Sequence, residues 1–199
     1  MQQRQQLRQQ LRQARRSLSH EQQRAAAINL AAHLPDNSLL QHASHVALYL
    51  AADGELDPHL LAEILHARGK TLALPVIHPF HPHQLLFQQY LPGMAMRPNR
   101  FGIDEPRLDK SALVPLFELD VVLMPLVGFD LHGNRLGMGG GFYDRTLAGL
   151  AATQRPTLIG LAHEVQQVDR LPDKPWDIPL DAIATATMLR QCPRGSNNE

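Results

Sequence analysis

The chain has 199 residues, 44% hydrophobic and 19% charged, which is the balance of one well-cored globular domain rather than a disordered segment. Its 19 basic and 19 acidic side chains cancel, which argues against a general nucleic-acid surface and requires any anion site to be local. A single cysteine, Cys192, rules out an internal disulfide framework; the polar start Met1-Gln2-Gln3-Arg4 lacks a secretory apolar core, and no apolar run approaches the roughly 18 residues of a membrane span.

A cytoplasmic monomer acting on small molecules, as one domain over residues 1–199, is therefore expected. Basic helices should occupy 3–33, an α/β core 45–187 and a frayed tail 190–199. Arg4, Arg8, Arg12 and Arg16 recur every fourth position and share a helix face, opposite an apolar stripe of Leu7, Leu11, Ala14 and Leu18. Arg12, Arg15 and Arg16 read as a solvated surface. Ser19 with Gln22 is a capping-box pair, so a second helix should start there and run to about His33, before the break Pro35-Asp36-Asn37-Ser38.

His45–Ala51 is a β-prone run. Asp57-Pro58 then opens a helix that Gly69 stops, and Thr71–Pro75 is a second strand. This β-α-β unit implies parallel strands and a right-handed crossover. Gln84–Tyr90 is a further strand candidate within a stretch, 76–110, otherwise read as loop. Asp120–Pro125, nearly all apolar, reads as a buried strand, Phe142–Leu150 as a helix, and Thr157–Ala162 and Ala182–Thr187 as the last strands. The pattern predicts an α/β fold, Rossmann-like, with an open and mostly parallel sheet carrying helices on both faces.

The segment from Pro125 to Asp144 follows the buried strand and precedes a helix, where ligands of open α/β sheets bind. The glycines 137, 139, 140 and 141 strip side chains from the backbone, so its N–H groups can approach an anion, and the helix from Phe142 points its positive end at the same place. Arg135 and Arg145 bracket this loop. No Gly-Lys-Ser/Thr follows, and Phe142 stands where a dinucleotide fingerprint needs its third glycine, so the pattern by itself says anion loop.

The run G-F-D-x-x-G-x-R-L-G-x-G-x-G-F-Y-D, at 128–144, resembles the signature of the 5-formyltetrahydrofolate cyclo-ligases, or methenyltetrahydrofolate synthetases. Arg4-Gln5-Gln6-Leu7-Arg8 resembles that family's basic N-terminal helix, and Tyr49-Leu50 with Glu55 its folate-contacting strand and loop. Leu171-Pro172 with Trp176-Asp177-Ile178-Pro179-Leu180-Asp181 resembles its closing motif. The resemblance spans about residues 4–187. It implies the scaffold shared with sugar-phosphate isomerases, deaminases and CoA transferases. It also implies ATP-driven closure of 5-formyltetrahydrofolate to the 5,10-methenyl compound, with ADP and phosphate released.

By the same resemblance, ATP lies against Arg4, Gln5, Gln6, Leu7 and Arg8, and against Arg135, Leu136, Gly137, Met138, Gly139, Gly140, Gly141, Phe142 and Tyr143. Leu50, Glu55 and Tyr143 contact folate, Asp144 and Asp181 associate with Mg²⁺, and Arg135, Tyr143 and Asp144 are the catalytic candidates. One departure stands out: Met138 and Gly140 occupy positions that many members fill with basic residues.

Other polar residues have plainer readings. His78, His81 and His83 form an exposed loop rather than a zinc site, because prolines intervene and no cysteine is near. His132 is equally a turn residue or a phosphate contact, His163-Glu164 polar loop, Asp130 a loop-capping carboxylate, and Trp176 a packing anchor. Asp53 and Asp57 read as turn and cap residues. Besides the cyclo-ligase, two readings stay open: a sugar-phosphate isomerase or deaminase, and a non-catalytic folate- or nucleotide-binding protein.

Overall fold

The computed structural model describes residues 2–193. Its elements in chain order are α1 (Gln2–Arg16), α2 (His20–His33), α3 (Ser38–Gln41), β1 (His45–Ala47), α4 (His59–Ala67), β2 (Thr71–Ile77), β3 (Leu85–Tyr90), β4 (Met96–Pro98) and β5 (Asp104–Pro106). They continue with β6 (Leu113–Val114), β7 (Val121–Pro125), β8 (Gly128–Phe129), β9 (Arg135–Leu136), α5 (Phe142–Leu147), β10 (Thr157–Leu161), β11 (Ala182–Ala184) and β12 (Leu189–Gln191). Eight strands form the main sheet in the order β12-β11-β10-β7-β1-β2-β3-β6. The five strands from β11 to β2 are parallel, while at the edges β12 pairs antiparallel with β11, β3 with β2 and β6 with β3.

The near-continuous apolar runs of the central strands follow from burial on both faces. On one face Leu30, Leu34, Leu40, Leu61 and Leu65 of the α2, α3 and α4 region pack on Val46, Leu72, Leu123 and Ile159. On the other, Leu147 of α5 joins Phe129, Ile178 and Leu180 over Val122, Met124, Leu158 and Ile183. Helices thus cover both faces of a mostly parallel sheet, as the patterning predicts. Ser19 and Gln22 form the expected capping box at α2. Among the described residues no helix is long and apolar enough to cross a membrane.

Several elements are shorter or longer than patterning suggests. The last parallel strand stops at Ala184 because Thr185 Oγ1 accepts from the Thr187 and Met188 N–H groups, turning the chain into β12. The expected tail therefore begins as a strand, with Cys192 buried behind it; residues 194–199 lie outside the described part. The helix from Phe142 ends at Leu147 rather than Leu150, just short of Gly149. At the amino edge of the sheet, two carboxylates peg strand starts. Asp120 Oδ2 accepts from Ser44 N at 2.7 Å and His45 N at 2.8 Å, and Asp181 Oδ2 accepts from Leu158 N at 2.9 Å.

Candidate functional site

The carboxyl ends of β1, β7 and β10 open onto α1, which lies across them outside both cores. Leu11 anchors the helix: a Cβ at Gly128 would sit 2.4 Å from Leu11 Cδ1, so glycine there makes room for the Leu11 side chain. One turn on, the stripe carries not an apolar residue but Arg15, which is 0% exposed. Its Nη1 donates to Leu126 O at 3.0 Å, just past β7, and its Nε and Nη2 donate to Asp53 O (2.9 Å) and Asp53 Oδ2 (2.6 Å) in the loop after β1. The solvated reading of Arg15 is therefore wrong. It overlooked that residue 15 continues the Leu7–Leu11 spacing by four, which places it on the buried face.

Arg12 and Arg16 also pair with Asp53. Burial pushes the Asp53 carboxyl up, but bonds from Arg12, Arg15 and Arg16 outweigh it and hold it at about 2. Gln166 completes the frame. Its Nε2 donates to Leu126 O at 2.7 Å and Val127 O at 3.1 Å, and its Oε1 accepts from His163 N, which ties the end of β10 to that of β7.

The amino-terminal half of α1 reaches the glycine loop. Arg8 Nε donates to Gly137 O at 2.7 Å, and Arg145 Nη1 donates to Gly140 O. Two guanidinium groups thus hold the loop by its carbonyls, and no N–H from Gly137 to Gly141 donates to a described residue. Both Nη atoms of Arg8 also lack a described partner. Burial, with repulsion from Arg4 and Arg12, presses the Arg8 pKa down, so an anion placed here relieves an unfavourable charge. Gly139 has φ 106°, a left-handed geometry that glycine adopts without steric penalty.

At Gly140 a Cβ would lie 2.7 Å from Phe142 Cε2, so the ring occupies that space, and the nearest fixed cations to the loop are Arg8 and Arg145. Met138 is exposed, as are Gln5 and Gln6. Arg4, one turn before Arg8, binds Asp177 Oδ2 at 2.5 Å and Pro172 O at 3.1 Å, which brings the closing motif onto α1.

Arg135 does not face the loop as a free cation. Its side chain is 6% exposed, with Nη2 2.6 Å from Asp144 Oδ1 and Nη1 on Ile178 O. Asp144 Oδ1 also accepts from Ile178 N at 3.1 Å, whereas Oδ2 has no described partner. Asp181 is not beside Asp144: it pegs β10 at the opposite edge of the sheet, so these two expected metal residues do not meet. Among the described residues no three His, Cys, Asp or Glu side chains cluster as a metal cage.

Next to the loop lies a half-buried carboxylate. Glu55 Oε2 accepts from Ala52 N at 3.1 Å, and Oε1 is 3.6 Å from Arg15 Nη2. Burial raises its pKa against the pull of Arg15. Burial also raises the Tyr143 phenol, and the Glu55 charge adds to the rise, which places the two groups in one neighbourhood. Tyr49, buried beneath with its hydroxyl on Leu56 O at 2.5 Å, feels both. Leu50 follows it at the rim of the core. His163, just past β10, is buried against the backbone of the Gly54–Glu55 turn, and burial lowers its pKa.

The remaining candidates fall away from chemistry. Asp130 is the loop cap expected of it, accepting from His132 N, Asn134 N, Asn134 Nδ2 and Leu171 N. Asp57 accepts from His59 N at 2.9 Å at the start of α4. His78 Nδ1 accepts from Phe80 N and His81 N, so it caps an exposed turn. Glu164 accepts from Thr187. Trp176 is not a packing anchor; it is 68% exposed, with Lys174 Nζ 5.9 Å from its ring.

An open α/β sheet whose carboxyl edge joins a glycine loop, its N–H groups unpartnered among the described residues, to a half-buried carboxylate is of the class that takes small-molecule ligands at that edge. Comparison narrows the class. The family model "5-formyltetrahydrofolate cyclo-ligase family" matches residues 1–186, and the chain belongs to that family. It is 45% identical to the 5-formyltetrahydrofolate cyclo-ligase of Haemophilus influenzae over 181 residues, covering 90% of this chain and 95% of the relative. It is also 45% identical to the Escherichia coli K12 enzyme over 177 residues, 89% and 97% of the two chains. The solved 5,10-methenyltetrahydrofolate synthetase of Aquifex aeolicus superimposes with TM-score 0.82 at 29% identity, over 98% of this chain and 96% of that one. The Mycoplasma pneumoniae synthetase gives 0.70 at 26%, over 92% and 98%.

Proposed function

We propose that this chain closes 5-formyltetrahydrofolate to 5,10-methenyltetrahydrofolate at the expense of ATP. The carrying observation is the convergence of five unpaired glycine-loop N–H groups with the two open Nη atoms of Arg8, one residue-pair away from Tyr143 and the Glu55 carboxylate. The first set suits a polyphosphate. The second suits a pterin, whose amino and ring N–H groups donate and whose flat ring packs on a phenol.

The chemistry needs both. A formyl oxygen on nitrogen is a poor leaving group. When it attacks the γ-phosphorus an O–P bond forms, the bond to the β-phosphate oxygen breaks and ADP departs. N10 then attacks the activated carbon and gives up its proton, and the C–O bond breaks to release phosphate. The protein's share is position and charge: the loop N–H groups and Arg8 hold the phosphates, and Glu55 fixes the pterin so that the formyl oxygen lies in line.

A Mg²⁺ ion bound mainly by phosphate oxygens and water would fit Oδ2 of Asp144, which has no partner among the described residues, and would neutralise charge at the transferring phosphoryl group. The lone Cys192, buried and with its thiol raised by burial to about 11, suits a reducing cytoplasm.

Purified protein with Mg-ATP and 5-formyltetrahydrofolate should generate the near-ultraviolet absorbance of the methenyl product, with ATP consumed only when folate is present. Binding of both without product would leave a storage protein. ATP turnover without folate would point to other chemistry on the same scaffold.

A further inference from the structure

The carboxylate assigned to the pterin sits in a setting that works against it. Burial disfavours its charge, Asp53 two residues away adds repulsion, and the phenols of Tyr143 and Tyr49 bring no cation. His163, on the neighbouring strand end, is pushed toward its neutral form by burial. The positive charges facing Glu55 come from α1, and the nearer is Arg15, 3.6 Å away; Arg12 is the weaker, more exposed second.

Arg15 is unusually well fixed. Its fork binds two oxygens of Asp53 and one backbone oxygen beyond β7, so its rotamer is set by three bonds to two residues past different strand ends. The loop it binds is moulded to it. Asp53 has φ 55° and Gly54 φ 76°, and a Cβ on Gly54 would be 3.4 Å from Arg15 O. A non-glycine residue held at positive φ persists only when its surroundings compensate, and the bonds from three arginines to Asp53 are that compensation. The turn so formed closes with Glu55 N on Ala52 O at 3.0 Å and presents Glu55 toward Tyr143.

We infer that Arg15 is a positioning residue that keeps Glu55 ionised and aimed at the folate, and so sets the lower pH limit for folate binding. The inference rests on the reading of Glu55 as the pterin contact. Its mechanism is electrostatic. With Arg15 present, its charge opposes burial and Asp53 and favours the ionised form, in which both Glu55 oxygens are acceptors. Without it, burial and Asp53 prevail, Glu55 takes a proton at higher pH, and one acceptor becomes a donor facing the pterin's own donors.

The test titrates Glu55 directly, by ¹³C resonance of side-chain-labelled glutamate, with the signal assigned by its loss in Glu55→Gln. In Arg15→Met the Glu55 titration should move at least tenfold in proton affinity, toward higher pH. Arg15→Lys keeps the charge but loses the Asp53 fork, and should move it in the same direction by at least twofold. The Lys variant decides the matter if the Met variant does not fold. In parallel, the KM for 5-formyltetrahydrofolate in the Met variant should rise at least fivefold at pH 6, with the gap closing as pH rises, while the KM for ATP stays within twofold.

An unchanged Glu55 titration overturns the inference. So does an equal rise of both KM values at every pH, which is the mark of simple structural damage. A wild-type protein that makes no methenyl product would defeat the functional reading instead, and the titration would still decide the role of Arg15.

Discussion

Arg135 and Asp144, both catalytic candidates in the sequence, meet in the structure as one ion pair. Arg135 carries its cation to a place almost closed to water, and Asp144 neutralises it at 2.6 Å while also taking the Ile178 N–H. Asp144→Asn keeps an oxygen for Ile178 but leaves the buried guanidinium uncompensated. The expected result is a loss of about 2 kcal/mol in unfolding free energy, below the full penalty for a buried pair because Asp144 is partly exposed, together with a sharp fall in turnover. Urea unfolding beside the methenyl assay separates the two effects; normal turnover would remove Asp144 from the mechanism.

Asp53 makes a pH-dependent claim. Its folded value of about 2 lies below the unfolded carboxylate value, so its stabilising effect is fully present above about 4 and is lost as pH falls through about 2. Asp53→Asn should therefore be less stable than the wild type by on the order of 2 kcal/mol at pH 7, with the difference shrinking toward pH 2. A difference that stays constant with pH would show that the arginine bonds do not hold the carboxyl down. At this scale the sequence was partly legible. The i, i+4 spacing exposed Arg4 and Arg8, but Arg15 was hidden because buried cations are rare and only a facing acid, 38 residues on, makes this one tolerable.

Elements were easier to read than partners. The β-α-β unit, the buried run before the glycine loop and the α2 cap all follow from local pattern, and each is present. What local pattern could not convey is where a polar residue ends up after the chain turns. Asp181 lies in a motif near the site in sequence, yet pegs the far edge of the sheet, and Trp176 in the same motif faces solvent. The glycine loop makes a sharper statement about one element. Gly139→Ala forces a Cβ into φ 106° and should unwind the loop, raising the KM for ATP about tenfold and costing about 1–2 kcal/mol. Gly137→Ala, with open space around the new methyl and no left-handed φ, should leave stability unchanged. Equal behaviour of the two variants in unfolding and ATP kinetics would mean that the loop conformation is not what holds the phosphates.

At the level of the molecule, α1 is the part that belongs to neither core and touches both halves of the site. Arg8 holds the glycine loop and Arg15 holds the loop of Glu55, about 10 Å apart along one rigid helix. A ligand that fixes either end thereby orders the other, so nucleotide and folate should bind with a shared coupling free energy, expected at about 1–3 kcal/mol. A non-hydrolysable ATP analogue and 5-formyltetrahydrofolate, each at about 100 times its Kd, should each stabilise the fold by about 2.7 kcal/mol, or roughly 5–10 °C in Tm for a chain of this size. Added together they should exceed the sum of the separate shifts, and Arg8→Ala should abolish the excess while sparing the shift from folate alone. Shifts that merely add in the wild type would show that α1 serves the two sites independently.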